Sequence, residues 1–383
     1  MLTRIKRLDW MIVLILIGFM GISYLLIQSA IHNNLVYRHT AMDQKMIVFY
    51  SLGFVVLFAT AFINYRILLK LWIYIYVTGV ATLVLVLKFG IQKNNARSWF
   101  QITESLNFQP AELMKLFLII AIAGFIGYRK GETLRLGQEI LPIGLIVLIP
   151  FVLVLIQPDL GNAMIFLIIL LGMLWIGNLK YSYVLIGITI GIGLFFLFMS
   201  LYQTYHNPIA DYLKTEGKIH WIERIDTFLD KDAVTQKESY HLDNAQIAIG
   251  SGGLLGDGFK EGNSIQNGRI PLAFSDSVFV VLGEEFGFVG SSALLLLYFL
   301  LVYRMILIAI QCNHLSGSLI ITGIVSMLVF QIFQNVGMFL DILPITGITL
   351  PFISYGGTSL LINMLCIGIV QSIRVYQEQP STY

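Results

Sequence analysis

An aspartate, Asp276, stands immediately ahead of the apolar run SVFVVLG, and Glu284 and Glu285 follow it about two turns deeper in the same stretch. A carboxylate at such a boundary reads first as a helix cap that accepts backbone N–H bonds. Its other reading is a general base, the group that takes the proton of an attacking hydroxyl. Adjacent glutamates in an apolar helix cannot share one face, so at least one needs an interior partner or a proton; a buried network tying that helix to its neighbours is the expectation. A second group lies earlier in the chain: Glu112 and Lys115, three apart and hence on one helix face, and Asp159 after Pro158. Lys115 can pair with Glu112 or meet Asp159 across two helices. The group then serves either as an ion pair that sets helix register or as a binding site for a lipid diphosphate.

Two further stretches are marked by backbone chemistry. The glycine run GSGGLLGDG at 250–258 lacks the strand and helix context of a nucleotide loop and reads as a turn beside a membrane. The segment LPITGITLPFISYGGTSLL at 343–361 gathers Pro344, Pro351, Gly356 and Gly357 at the start of an apolar run. Broken helical backbone at membrane depth is tolerated only where protein buries it or where it lines a wet cavity, so this segment, with Ser354 and Gly356, points to a polar groove. Histidines at 32, 39, 206, 220, 241 and 314 lack the spacing of a helical metal site, and Cys312 and Cys366 form no CxxC motif; no structural metal is expected.

These groups must be positioned by membrane helices. Of the 383 residues, 57% are hydrophobic and 12% charged, about half the charged share of a soluble domain. Apolar runs long enough for a bilayer recur near 10–30, 46–63, 71–89, 111–127, 140–156, 162–178, 181–201, 277–303, 318–340 and 351–373. The expected fold is therefore all-α and polytopic, one membrane domain over 1–383 with about ten transmembrane helices. The first run, after Arg4, Lys6 and Arg7, is too long for a signal-peptide core. With the N-terminus cytoplasmic, short inside loops hold Arg4, Lys6, Arg7, Arg66, Lys70, Arg129, Lys130, Arg135, Lys180, Arg304 and Arg374, and short outside loops only Arg38, Lys45, Lys88, Lys93 and Arg97. That bias places both termini in the cytoplasm. It also places the long segment 202–276, between helices seven and eight, outside the cell, where amphipathic helices are expected over Trp221–Leu229 and Asn244–Ile249. Gly187 and Gly191 offer a small-residue face for helix packing.

Taken together, NNARSWF (94–100), FQPAELMK (108–115), QPDLGNA (157–163), IAIGSGGLLGDG (247–258), DSVFVVLGEEFGFVG (276–290) and the 343–361 segment resemble the RodA/FtsW/SpoVE family of peptidoglycan glycosyltransferases. The short tails are closer to its elongation member than to its division member. The resemblance implies a protein of the bacterial cytoplasmic membrane that polymerises lipid II into glycan strands at the outer face, working on undecaprenyl-diphosphate-linked glycan beside a class B penicillin-binding transpeptidase in the elongation or division machinery. No nucleic acid is expected among its partners. The family's essential aspartate falls on Asp276, its outer-loop tryptophan on Trp99, and its other site positions on Glu112, Lys115 and Asp159. Inverting transfer from a sugar diphosphate needs one carboxylate base and cationic compensation of the leaving group. Asp276 is the expected base, with Lys115, Arg97 and Arg224 the candidate cations and a divalent cation, magnesium or manganese, the candidate cofactor. A lipid II flippase and a non-catalytic scaffold for the transpeptidase are the rival readings.

Overall fold

Inside a bilayer every backbone N–H and C=O must pair within the protein, so apolar runs become helices. The structure, a computed structural model, describes residues 2–33, 37, 40–93, 96–101, 107–127, 132–215 and 236–377. Each of the apolar runs read from the sequence falls on a helix: α1 Trp10–Ile31, α2 Met42–Ala61, α3 Trp72–Phe89, α4 Pro110–Ile126, α5 Leu141–Ile156, α6 Leu160–Ile176, α7 Tyr181–Thr215, α9 Val278–Ile310, α10 Leu315–Phe339 and α11 Gly357–Val375. Between α7 and α9 lies α8, Gln236–Ser251. Among the described residues seven helices are long and apolar enough to cross a membrane: α1, α2, α3, α5 with its preceding turn from Leu136, α9, α10 and α11.

Several boundaries differ from expectation for identifiable reasons. The segment after α3 is not loop but a small antiparallel sheet of β1 Ile91–Lys93, β2 Ala96–Gln101 and β3 Asn107–Phe108, so the fold is not purely α. Trp99 pairs with Ile91 and Phe100 with Phe108, aromatic and branched residues suited to a pleated surface. Helix α11 starts at Gly357 rather than 351, because the proline- and glycine-rich stretch before it stays non-helical. Helix α7 runs on to Thr215, past the expected end at 201 and into the long segment, with a kink at Tyr205. Of the two amphipathic helices expected there, Asn244–Ile249 lies within α8 and buries Ala245 and Ala248; Trp221–Leu229 lies outside the described residues.

Helix α11 is the most enclosed of the seven and packs most extensively along α2. Glycines on both sides allow the approach: a Cβ at Gly53 would stand 2.8 Å from Met364 Cγ, and one at Gly368 2.8 Å from the Leu57 carbonyl oxygen. Among the described residues Gly187 has no such neighbour, since a Cβ there would meet nothing within 4 Å; the surroundings of Gly191 lie outside the described set. Helix α10 packs against α6, α9 and α4, and thereby draws together the elements that carry Asp276, Asp159 and Lys115.

At the far end of the bundle Asp9 ties three helices. It caps α1 through Met11 N–H and Ile12 N–H, its Oδ2 accepts from Arg304 of α9 at 2.6 Å and also from Arg374 of α11, and the Gln371 amide brackets its backbone N–H (2.8 Å) and carbonyl (3.0 Å). The basic residues that signalled an inside face in the sequence thus include two that meet on one buried carboxylate.

Candidate functional site

Asp276 is half-buried two residues before α9. The N-cap of that helix is Ser277, which makes no side-chain cap bond, so the capping reading of Asp276 does not hold. Its carboxylate instead accepts from its own N–H and that of Ser277. Burial pushes the carboxyl above the usual carboxylate range, and those two N–H groups partly oppose the shift.

The backbone around it is held from α10 and from the 343–356 segment. Asn335 Nδ2 donates to the Asp276 carbonyl at 2.7 Å and to the Ile348 carbonyl at 2.7 Å, while Gln334 Nε2 donates to the Pro344 carbonyl at 2.8 Å. The Tyr355 N–H donates to the Phe274 carbonyl at 2.9 Å, and the two rings meet edge to face with centroids 6.0 Å apart. Gly347 lies in the left-handed region at φ 71°, and a Cβ there would stand 3.8 Å from Asp276 Oδ2. The broken segment is therefore one wall of the aspartate's surroundings.

On the other side of that wall stands the second cluster. A Cβ at Gly161, in the first turn of α6, would meet Ile348 Cγ1 at 2.8 Å and Thr346 Cβ at 3.3 Å. Next to Gly161, Asn162 links two charges: its Oδ1 accepts from Lys115 Nζ at 3.2 Å and its Nδ2 donates to Asp159 Oδ2 at 2.9 Å. Lys115 also donates to Glu112 Oε1 at 2.7 Å, and Gln109 Nε2 donates to Asp159 Oδ2 at 2.7 Å. Asp159 Oδ1 caps α6 through Asn162 N–H, at 3.1 Å. Of the two pairings open to Lys115 from the sequence, the one with Glu112 is formed, and Asp159 is reached only through Asn162. Lys115 is only 1% exposed and its charge is already compensated, which suits it to fixing α4 against α6 rather than to meeting a ligand's diphosphate.

The other sequence-predicted residues fall around these two clusters. Ser354 is buried and its Oγ accepts from Leu350 N–H at 2.8 Å, closing the turn over Pro351; Gly356 is the N-cap of α11, in extended backbone. Both shape the broken segment. Trp99 lies partly exposed on β2, and the sheet is fastened by Ser98 Oγ donating to the Gln157 carbonyl (3.3 Å) and Thr358 Oγ1 donating to the Asn107 carbonyl (2.5 Å). Arg97 is on β2 opposite Gln92, its side chain outside the described set, and Arg224 lies outside the described residues. Asn335, Asn162 and Gln109 were not singled out from the sequence; the available signal was a neutral polar residue inside or at the mouth of an apolar helix.

Glu284 and Glu285 form the network expected of them. Glu284 accepts from Ser264 N–H at 2.6 Å and Ile265 N–H at 3.1 Å, capping the single helical turn Asn263–Gln266, and Glu285 accepts from Ser29 of α1. Helix α9 breaks just beyond, at Gly287 (φ 60°), and the glycine run packs into the break: Asp257 N–H donates to the Glu284 carbonyl (2.9 Å) and Phe288 N–H to the Gly253 carbonyl (2.9 Å). Gly256, at φ 83°, has no room for a side chain, since a Cβ would overlap the Glu285 carbonyl. Gly256→Ala is expected to cost about 2–3 kcal/mol, combining a strained φ with a backbone clash, and to appear as a lowered thermal midpoint of the detergent-purified protein. A midpoint equal to that of the native chain would show that the loop relaxes freely. Among the described residues no group of three or more His, Cys, Asp or Glu stands together as a metal cage.

The chain matches the FtsW/RodA/SpoVE family model, described as cell cycle protein, over residues 7–379. It is 30% identical over 375 residues to the peptidoglycan glycosyltransferase MrdB of Escherichia coli K12, covering 98% of this chain and 95% of that one. Among solved structures it is similar to a chain of a peptidoglycan synthase complex described as coordinating polymerization and crosslinking, with TM-score 0.75 and 30% identity over 97% of this chain and 99% of the other. It is also similar to the rod shape determining protein RodA of Thermus thermophilus, with TM-score 0.68 and 29% identity over 97% and 98% of the two chains.

Proposed function

Because this chain belongs to the FtsW/RodA/SpoVE family, a family of multi-pass bacterial membrane proteins, we propose that it is a peptidoglycan glycosyltransferase that polymerises lipid II into glycan strands at the outer face of the cytoplasmic membrane. The observation that carries the reading is Asp276, a half-buried carboxylate at the head of α9, beside a broken backbone segment whose Gly347 leaves the space next to Oδ2 open. The acceptor's sugar hydroxyl attacks the anomeric carbon of the donor as the bond to the diphosphate breaks. Asp276 takes the hydroxyl proton, the anomeric configuration inverts, and the lipid diphosphate leaves with the bonding electrons. A carboxyl held above its ordinary range by burial is better matched to that proton than an exposed one. Lys115, Glu112, Asn162 and Asp159 hold α4 to α6 behind the broken segment, and Arg97 and Arg224 are the cations we assign to the departing diphosphate.

The whole chain is one membrane domain of ten spans with both termini cytoplasmic and 202–276 outside. Supporting this, Arg304, in the last third of α9, meets Asp9 near the N-terminus together with Arg374 of α11, at the opposite end of α9 from Asp276. A class B penicillin-binding transpeptidase is the proposed partner, supported by the similarity to a chain from a complex that joins polymerization to crosslinking. The role we assign is elongation, following the likeness to MrdB and RodA. The test is incubation of the purified chain with purified lipid II, with and without such a transpeptidase. Glycan strands are the expected product. Failure to polymerise in either condition, with lipid II moving across vesicles instead, would replace the enzyme with a flippase.

A further inference from the structure

We infer that Asn335 is a positioning residue for the glycosyl transfer, an amide clamp that sets the distance between Asp276 and the wall of its site; the inference rests on the glycosyltransferase reading above. Asn335 is fully buried in α10, and one amide nitrogen serves two carbonyls, those of Asp276 and Ile348, each at 2.7 Å. Those carbonyls belong to chain segments far apart in sequence: the first leads into α9, and the second follows Gly347, where a Cβ would stand 3.8 Å from Asp276 Oδ2. Both partners are acceptors, so only the NH2 end can face them; the reversed amide would set three oxygens against one another. The orientation is therefore dictated by chemistry.

Neither carbonyl has a helical hydrogen bond to fall back on, because both lie in non-helical backbone. Without the clamp, the Tyr355 N–H bond to the Phe274 carbonyl still joins the two segments, but the tie next to the base is lost at the point where it must meet the acceptor hydroxyl. The hydrogen bonds of Asn335 go to the Asp276 and Ile348 carbonyls, so it acts through the backbone. Its loss should therefore reduce turnover and leave binding of the lipid's distant groups in place. Misplacement of a reacting group by about 1 Å costs on the order of 10²-fold in rate.

The test uses the purified full chain with Asn335→Leu, which removes the donor at similar volume, and Asn335→Ser, a smaller residue whose hydroxyl serves at most one carbonyl. Thermal midpoint, kcat and KM for lipid II are measured per folded molecule. The expected result is kcat lowered about tenfold for Ser and about 10²-fold for Leu, with KM changed by less than about twofold. A purely structural role would lower midpoint and yield while leaving kcat per folded molecule native, and that outcome would overturn the inference. The serine variant decides the matter if the leucine variant does not fold. Should the native chain itself make no strands, the enzyme reading fails and takes this one with it; a native chain that polymerises beside a serine variant of equal kcat sinks the clamp alone.

Discussion

Asp276→Asn is expected to leave the protein folded and to lower glycan polymerisation by roughly 10²–10⁴-fold, the range lost with a positioned general base. Asparagine keeps the size of the side chain and can still accept from the Ser277 N–H, so the half-buried position survives while the proton acceptor is lost. The pH profile is the sharper measurement. A base works only when deprotonated, and burial holds this carboxyl above the usual carboxylate range. The rate should therefore fall on the acid side of a limb that lies above the ordinary aspartate value, and rise as pH increases through it. In the asparagine variant the residual rate should lose that limb. Should the variant polymerise at the native rate, or its residual activity keep the same limb, another group takes the proton.

Lys115→Met should destabilise the folded chain by about 3–5 kcal/mol, because it strands a buried carboxylate without its cation. Glu112 is 8% exposed and accepts from Lys115 at 2.7 Å, and Asn162 would lose a donor to its Oδ1 in the same stroke. Pairing the change with Glu112→Gln removes the stranded charge, so the double variant should recover most of the lost stability. The check is thermal or denaturant unfolding in detergent of both single variants and the double. Additive losses would mean that the two side chains do not act as a pair. The same series separates stability from chemistry: if the refolded double variant polymerises at a substantial rate, Lys115 holds the site together; if it is stable but inert, the lysine charge is needed by the reaction itself.

The two groups of carboxylates were readable from residue type and local position. Asp276, Glu112, Lys115 and Asp159 stand out because charge in an apolar stretch is costly, and that cost is a property of a few neighbouring residues. The apolar runs themselves determined where helices form, since in lipid the pairing of backbone groups within one segment is compulsory. Family blocks strung along the chain determined the reading of Asp276 as a base, which spacing alone left open beside a cap.

What only the tertiary structure decided depends on partners distant in sequence. Asn162 joins Lys115 to Asp159, Asn335 joins Asp276 to Ile348, and Asp9 joins Arg304 to Arg374; each bond is short-ranged in space and leaves no periodic trace in the chain. Neutral amides in apolar helices look alike until their acceptors are known. The glycine run shows the same division: its composition announced a turn, but only the packing of Gly256 against the Glu285 carbonyl revealed that the turn plugs the break in α9 at Gly287. Local hydropathy thus determined the helices and the charged candidates, whereas the distances that turn those candidates into a site come from how helices and broken segments meet, which no window of sequence encodes.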